Sequence, residues 1–278
     1  MRINHNIPSM VTQGSLFRTN RDLSKNLERL STGLRINRAA DDAAGLGVSE
    51  NLRTQVRGTA QAFRNAQDGI AAISIAEGAA NEISSILQRM RELAIQSAND
   101  TLTSIERSYT DSEFQALDEE ITRIAAVTNY NGQLLLSGAG SNRFGDSSVL
   151  WIDANNTVGT DSITINIATL SSTQIGVDTL SLSSQTSSVS AVQTLDTAIN
   201  SVNTMRSNMG AYINRLEHAM NNLTISNSNQ QAAESVIRDA DFAHETSVFT
   251  KNQILTQSGT AMLAQANLVS QSVLQLLG

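Results

Sequence analysis

The C-terminal stretch from Thr246 to Gly278 restricts the possible fold more than any other part of the sequence. Apolar side chains recur in it every seven residues, and a second set follows each by four, which is the spacing of a coiled-coil seam. It has no proline, and no Asp, Glu, Lys or Arg follows Lys251. Because a helix exposed to water normally carries a charged face, we predict that other helices or other copies of the chain enclose this one. The first set is Val248, Leu255, Met262, Val269 and Leu276, and the second is Asn252, Gly259, Ala266 and Val273.

A second apolar stripe lies near the other end of the chain, at Leu23, Leu27, Leu30 and Leu34. Its spacing of four, three and four residues is again that of a heptad seam. Packing the two stripes against each other buries both, whereas two unrelated surface helices would leave the uncharged C-terminal stretch unexplained. Before this stripe, Met1–Met10 has few helix signals and is expected to be disordered unless a partner orders it.

Most of the remaining chain is also predicted to be helical. Pro8 is the only proline among 278 residues, so the backbone after it can form long helices. Aromatic residues make up 4% of the chain, which predicts a thin aliphatic core. The expected fold class is mainly α: a long antiparallel helical bundle or coiled coil formed by both termini.

Local signals divide this helical chain. Ser31–Leu52 contains three glycines and the Asp41-Asp42 pair, which predicts a break between two helical segments with the aspartates as caps. Thr103–Glu106 is typical of a capping box, and Asn131-Gly132 is typical of a turn. A later helix should begin at Ser190–Gln193 and continue without a clear break into the terminal one.

Residues 134–188 differ in composition from the rest of the chain, because Ser, Thr, Gly and Asn dominate. Two short runs in this region alternate apolar and polar residues, Val149–Asp153 and Ser162–Ile167, and are predicted to be hairpin strands. We therefore expect a small β-hairpin insert at the tip of a helical rod.

The composition argues against several classes of protein. Only 16% of residues are charged and the net charge is −7, so the basic stripe of a nucleic-acid-binding protein is missing. No apolar run approaches the ~18 residues of a membrane span, and no secretory signal is visible at the N-terminus. Without cysteine, neither disulfides nor thiolate metal sites can form.

No catalytic arrangement is recognisable either. The three histidines are far apart, and none has a ligand partner four residues away. The pairs Asp41-Asp42 and Glu119-Glu120 would point about 100° apart on a helix, so they cannot face each other as acid and base. The glycines of Gly45–Gly47 lack the rest of a dinucleotide-binding fingerprint. We predict no enzyme, no cofactor and no metal.

Five segments, in the right order and at full-length spacing, resemble bacterial flagellin. They cover both terminal thirds of the chain. The opening MRINHNI and the closing KNQILTQSGTAMLAQAN are similar to those of spirochaete core flagellins in particular. The five segments are LERLSTGLRINRAADDAAGLGVSENLR (Leu27–Arg53), LQRMRELAIQSAN (Leu87–Asn99), ITRIAAVTNYNG (Ile121–Gly132), RDADFAHETS (Arg238–Ser247) and QILTQSGTAMLAQANLVSQSVLQLL (Gln253–Leu277).

The resemblance implies three parts. Residues 1–44 and 238–278 would pair as an inner coiled coil lining a filament channel, and residues 45–137 and 189–237 would form an outer tube of helices. The insert at 138–188 would project outward, with candidate Ser and Thr acceptors for O-linked sugars at Ser183–Ser190. The positions expected to hold the polymer together are Leu23, Leu27, Leu30, Leu34, Val248, Leu255, Met262, Val269, Val273 and Leu276.

The function implied is a structural subunit that polymerises into the flagellar filament for motility. The family exports its subunits unfolded through the flagellar type III apparatus, a route that suits a chain without cysteine and with one proline. The implied partners are other copies of the chain, an export chaperone bound by the C-terminal helix, and the hook-associated junction and cap proteins. The filament would be extracellular, or periplasmic as in spirochaetes.

A contact with the Toll-like receptor of animal hosts is also implied. The family's LQR…L segment and following glutamate correspond here to Leu87, Gln88, Arg89, Leu93 and Glu113. Leu87 belongs to a core stripe, whereas Arg89 and Leu93 are expected together on an exposed face that also contacts other subunits.

Two alternatives remain open at this point. A hook–filament junction protein shares STGLRINRAADD but usually continues with proline where this chain has Ala43-Ala44. A coiled-coil adaptor that does not polymerise would explain the heptads, but neither the uncharged C-terminal stretch nor the β insert.

Overall fold

The structure, a computed structural model, describes residues 5–137, 143–155, 157 and 159–277, with side chains as far as Leu268. It is mainly α-helical, as predicted, and these residues include two small antiparallel strand pairs, β1–β2 and β3–β4. The helices are α1 (Ile7–Thr32), α2 (Ala43–Ser97), α3 (Ser104–Val127), α4 (Ser172–Ile175), α5 (Gln185–Arg238) and α6 (Phe242–Leu277), and the strands are β1 (Asn129–Tyr130), β2 (Gln133–Leu134), β3 (Ser148–Trp151) and β4 (Ser162–Ile165).

The chain divides into two compact units. Unit 1 comprises Met1–Thr54 and Asn229–Gly278, and unit 2 comprises Gln55–Ser228. The helices α2 and α5 contribute residues to both units. The described part of the insert belongs to unit 2 rather than forming a unit of its own.

Helix α1 begins earlier than the sequence analysis predicted. The side-chain oxygen of Asn6 accepts a hydrogen bond from the backbone N–H of Ser9 (3.1 Å), and Pro8 lies in the first turn. Proline is favourable there because the first backbone N–H groups of a helix have no partner within it. Ile7–Met10 is therefore helical rather than disordered, and Asn6 and Pro8 were the overlooked signals.

In unit 1, α1 and α6 pack against each other in antiparallel directions, as predicted. Residue numbers rise along α1 as they fall along α6 in the contacts that join the two helices. These are Ser9 Oγ to Asn267 Oδ1 (3.0 Å), Thr256 Oγ1 to Asn20 Oδ1 (3.4 Å), and Arg29 to Glu245 (2.8 Å). The first two are hydrogen bonds between neutral side chains, and the last is an ion pair with a buried carboxylate.

The seam between these two helices departs from the leucine stripes. On α1, Leu23 and Leu30 are half-buried, but Leu27 is exposed and Asn26 is buried in its place. On α6, the members of the second set with described side chains, Asn252, Gly259 and Ala266, face inward, whereas Leu255 and Met262 are exposed. The side chain of Val273 lies outside the described residues. The inward positions of α6 include Glu245, Phe249, Asn252, Thr256, Gly259, Leu263 and Ala266.

The reason for this choice of seam lies in the size of the facing side chains. A Cβ added at Gly259 would lie 3.2 Å from Leu16 Cδ1, so the missing side chain lets the helices approach closely. Close approach at Gly259 therefore leaves its bulky neighbours Leu255 and Met262 outside the pair.

Both ends of the predicted break after α1 are capped. Gly33 ends α1 with φ of 71°, a left-handed conformation that glycine adopts without strain. Asp42 Oδ1 accepts a hydrogen bond from the Gly45 N–H (2.9 Å) and so caps α2. A second break, which the sequence analysis missed, separates α5 from α6, where Asp241 Oδ1 accepts from the Ala243 N–H (2.9 Å).

Unit 2 is a bundle in which α2, α3 and α5 enclose an aliphatic core. Phe114 of α3 is its largest fully buried side chain. The predicted capping box at the start of α3 is present at Thr103 and Glu106. Contrary to the sequence analysis, α2 is long and apolar enough to cross a membrane by composition alone. Its buried side chains instead contribute to this core, as in the central helix of a bundle.

The predicted hairpin strands pair as expected, and they lie against α2. Leu150 of β3 packs so closely on Gly69 of α2 that a Cβ there would lie 2.3 Å from its Cδ1. The side-chain amide of Asn65 also donates to the backbone oxygen of Trp151 (3.1 Å). Because the buried side of β4 is apolar, at Ile163 and Ile165, the hairpin is stabilised by lying against helices rather than in water.

Candidate assembly surfaces

The paired helices of unit 1 leave many large apolar side chains exposed, each between 46% and 71%. Single exposed apolar residues are ordinary, but extensive exposed apolar area in one part of a protein marks an interaction site. We call this set the unit 1 apolar surface: Ile7, Met10, Val11, Phe17, Leu27, Ile254, Leu255, Met262 and Leu268.

Part of this surface lines a groove of about 290 Å³ between α1 and α6. Val11 and Leu16 contribute apolar side chains from α1, and Leu255 and Met262 contribute them from α6. Gly259 lies among them, and no charged residue lines the groove. The groove is suited to an apolar side chain from a partner.

The predicted polymerisation residues fall into three groups. Leu23, Leu30, Leu34 and Val248 are half-buried within unit 1, whereas Leu27, Leu255 and Met262 are exposed. The side chains of Val269, Val273 and Leu276 lie outside the described residues. The structure therefore separates positions that pair α1 with α6 from positions available to another molecule.

A polar layer crosses the seam at one end, in the last turns of α1 and the first turn of α6. The Arg29 guanidinium donates to the buried Glu245 carboxylate at 2.8 Å. One turn earlier, Asn26 is buried, and its Nδ2 has no hydrogen-bond partner among the described residues. Separating a buried ion pair is costly, so this layer disfavours a sliding of the two helices along each other.

A second electrostatic cluster holds the segment between α1 and α2. Lys25 Nζ lies 2.7 Å from Asp41 Oδ1, and Asp41 Oδ2 accepts from the backbone N–H groups of Asn37 (3.3 Å) and Arg38 (3.2 Å). The hydrogen bond from Lys25, followed by those from the backbone, lowers the pKa of Asp41 to about 2. Asp41 and Asp42 thus both serve the helix boundary, as predicted.

The residues expected to meet the receptor are only partly exposed. Gln88, Arg89 and Glu113 face solvent, and Arg89 Nη2 lies 2.9 Å from Glu113 Oε1. This ion pair raises the pKa of Arg89. Leu87 and Leu93, however, are 0% and 1% exposed. The expectation that Leu93 shares an exposed face with Arg89 is wrong, because α2 and α3 bury it in the same core as Phe114.

The described residues hold no group of three His, Asp or Glu side chains that could bind a metal. Glu120 accepts hydrogen bonds from Arg123 (2.6 Å and 2.7 Å), whereas its neighbour Glu119 is exposed to solvent. The two carboxylates therefore do not act together on one group. Gly45 and Gly47 lie in the first turns of α2 rather than after a strand. These motifs have structural roles in the fold.

Comparison with known proteins identifies the family. The profile of the bacterial flagellin N-terminal helical region matches residues 3–141, and that of the C-terminal helical region matches residues 192–277. The chain belongs to the bacterial flagellin family. Both profiles coincide with the segments that form the long helices.

Full-length relatives agree with this assignment. The chain is 45% identical to the flagellar filament 33 kDa core protein of Treponema phagedenis and 44% identical to the flagellin of Halalkalibacterium halodurans. Each alignment covers 100% of both proteins. The resemblance to spirochaete core flagellins is therefore confirmed, although a relative from outside that group is almost equally similar.

Solved structures show the same fold. The crystal structure of Bacillus cereus flagellin matches with a TM-score of 0.51 at 31% identity, over 62% of this chain and 94% of that one. A flagellar hook-associated protein from Vibrio parahaemolyticus matches with a TM-score of 0.58 at 16% identity, over 71% of this chain and 99% of that one. At that identity the second match concerns the fold alone.

The sequence analysis missed the exposed apolar residues of α1. Met10 lies within the segment expected to be disordered, and Phe17 lies outside the leucine stripe. The signal that could have identified them is an apolar residue outside the heptad positions. Such a residue is exposed once the heptad positions are packed, and several of them on one pair of helices indicate a partner.

Proposed function

We propose that the chain self-polymerises into the flagellar filament through the unit 1 apolar surface. Its full-length relatives include a protein described as a filament core protein, and membership of the flagellin family supports a flagellar location. The observation that carries the proposal is the combination of exposed apolar side chains with a helix that has no charge after Lys251. In water such a helix is favoured to bury its outer side against a second copy.

The test is elongation of short sheared filament seeds by the purified chain at neutral pH, followed by electron microscopy. We expect long tubes to grow from the seeds. Seeds that stay short in the presence of folded helical monomer would contradict the proposal and favour a junction protein or an adaptor. The 45% identity to a filament core protein over the full chain supports the filament subunit over the junction protein.

The inner and outer layers of the filament would follow the family pattern. Residues 1–44 and 238–278 would form the inner coiled coil, and residues 45–137 and 189–237 the outer tube, with 138–188 on the outer surface. An insert that lies along the helices would leave this surface slender. The mass of the intact protein from native filaments would reveal any O-linked sugar on its Ser and Thr residues.

Export and location belong to the same proposal. The chain would leave the cytoplasm unfolded through the type III apparatus, with α6 held by the export chaperone, because an uncharged amphipathic helix fits an apolar groove. Hook-associated junction and cap proteins would contact it at the ends of the filament. The filament would be external, or periplasmic in a spirochaete cell.

Receptor recognition would involve Gln88, Arg89 and Glu113 rather than the buried leucines. A Toll-like receptor reporter assay on purified monomer should respond to the wild type and respond less to Arg89→Ala. Arg91→Ala is the matched control, since Arg91 is a half-exposed arginine of the same helix that is also in an ion pair, with Asp196 at 2.6 Å. No response to wild-type monomer, or equal responses to both variants, would contradict this contact.

A further inference from the structure

Methionine is the only sulfur-containing residue of this chain, which has seven methionines and no cysteine. Their environments differ sharply. In the unit 2 core, Met90, Met205 and Met209 are 0%, 4% and 1% exposed, whereas Met10 and Met262 are each 62% exposed in unit 1. Oxidation of a thioether requires access for the oxidant, so among the methionines that the structure describes, Met10 and Met262 should react first.

Met262 occupies a more sensitive place than Met10. It lines the groove between α1 and α6 together with Val11 and Leu255, whereas Met10 is not part of that groove. The lining contains hydroxyl groups from serine and threonine but no charged side chain. The Thr12 and Thr19 hydroxyls already donate to the backbone oxygens of Pro8 and Ser15, at 2.8 Å and 3.0 Å. A polar group introduced at Met262 would therefore find few free donors once another molecule covered the groove.

We propose that Met262 is an oxidation site at which peroxide blocks self-association of the chain. The inference rests on the proposed function, because it takes a second copy as the molecule that covers the groove. The thioether sulfur attacks one oxygen of hydrogen peroxide, the O–O bond breaks as the S–O bond forms, and a proton shift releases water. The sulfur is oxidised, the peroxide is reduced, and a flexible apolar side chain becomes a polar sulfoxide.

The effect on assembly follows from burial of the new S=O group. Burying a polar group without a hydrogen-bond partner disfavours the contact, and each subunit added to a filament must make that contact. We expect the critical concentration for elongation to rise at least tenfold. In an assembled filament the same sulfur would be covered, so oxidation there should be slower than in the monomer.

The experiment treats full-length monomer with limited hydrogen peroxide, measures oxidation of each methionine by peptide mass spectrometry, and then measures the critical concentration for elongation from seeds. We expect Met10 and Met262 to be oxidised before the core methionines, with elongation lost as Met262 is converted. Treatment with a methionine sulfoxide reductase should restore elongation. Oxidised protein that elongates at the original critical concentration would overturn the proposal.

Two variants assign the effect, each compared with itself before and after peroxide. In Met262→Leu the ratio of the critical concentration after peroxide to the one before peroxide should fall to near one. Met220→Leu, at a half-buried methionine of unit 2, should keep the wild-type ratio. A large ratio in Met262→Leu would move the effect to Met10 and overturn the assignment. If untreated wild type does not elongate, the proposed function fails, whereas elongation unaffected by oxidation overturns the oxidation site alone.

Discussion

Two glycines in the first turns of α2 show how surroundings fix the role of a residue. A Cβ at Gly45 would lie 2.4 Å from Asp42 Oδ2 and 2.9 Å from Ile36 Cδ1, whereas nothing lies within 4 Å of one at Gly47. Gly45 therefore leaves room for the capping carboxylate and the buried isoleucine. Gly47 leaves a gap to solvent at a position where alanine would favour the helix.

We predict opposite effects of alanine at these two glycines. Gly45→Ala should destabilise unit 1 by about 1–3 kcal/mol, because the cap or the packing of Ile36 must shift. Gly47→Ala should be neutral or stabilise by up to about 1 kcal/mol. Urea unfolding followed by circular dichroism measures both. Equal shifts in the two variants would contradict the role of the Asp42 cap.

The Asp41 cluster predicts a specific dependence of stability on acid. Its pKa is lowered from 3.8 to about 2 in the folded chain, so its stabilising effect is complete above about pH 4 and disappears as the pH falls towards 2. Asp41→Asn should lose this contribution at neutral pH. The expected loss is about 1 kcal/mol, because Lys25 is half-exposed and water screens its charge.

Unfolding of Asp41→Asn at several pH values between 2 and 6 tests this. The difference from wild type should shrink as the pH falls through this window. Asp22→Asn is the control, since Asp22 is an exposed carboxylate 3.9 Å from Arg21 and lacks comparable backbone contacts. A difference between Asp41→Asn and wild type that stays constant with pH would contradict the prediction.

At the scale of elements, pairing between helices and strands depends on small residues of α2. Gly69 lies against Leu150 of β3, and Gly58 lies against Ala154, which follows β3. A Cβ at Gly58 would lie 2.6 Å from Ala154 Cβ and 3.1 Å from its Cα. A flexible side chain could turn away from such a contact, but backbone atoms must move with the whole segment. The hairpin is thus held against the helix by shape as well as by the apolar side of β4.

We predict that Gly58→Ala displaces the segment that follows β3. Trp151, the single tryptophan, ends this strand and reports on it by fluorescence. The variant should shift the tryptophan emission to longer wavelength and speed cleavage of the insert by a protease. Gly78→Ala, in an open position of the same helix, should change neither. Unchanged emission in Gly58→Ala would contradict the close packing of the insert.

At the scale of the whole molecule, the two units differ in how they bury their apolar side chains. Unit 2 has a core of fully buried aliphatic side chains, although some, such as Ile105 and Ile225, remain exposed on its surface. Unit 1 pairs α1 with α6 through a seam that mixes small, polar and half-buried apolar residues, and it keeps Phe17, Leu255 and Met262 exposed. A monomer built in this way has a stable folded part and an incompletely buried part whose stabilisation comes from other copies.

We predict that deletion of Met262–Gly278 abolishes both seeded elongation and binding to the export chaperone. The deletion removes exposed Met262 and Leu268 and shortens the partner of α1. Seeded growth and co-purification with the chaperone are the measurements. Unchanged Trp151 emission would serve as the control that unit 2 remains folded. A truncated chain that still elongates seeds would refute the prediction.

The sequence determined the mainly helical class, the pairing of the two termini, the Thr103–Glu106 cap, the Asn131-Gly132 turn and the hairpin strands. These features depend on local propensity and on the period of apolar residues, which a sequence displays directly. The resemblance to flagellin was equally visible in the sequence, because its five long segments occur in the order and at the spacing of that family. The start of α1 was also encoded, at Asn6 and Pro8, although it was overlooked.

Only the tertiary structure decided which side chains are buried. Two neighbouring heptad seams are possible on α6, and close approach at Gly259 selected the one that leaves Leu255 and Met262 exposed. Leu93 is buried and the hairpin lies against α2, because the elements that cover them are distant in the chain. Periodicity shows that a helix has an apolar side, but it does not tell which neighbour will cover it.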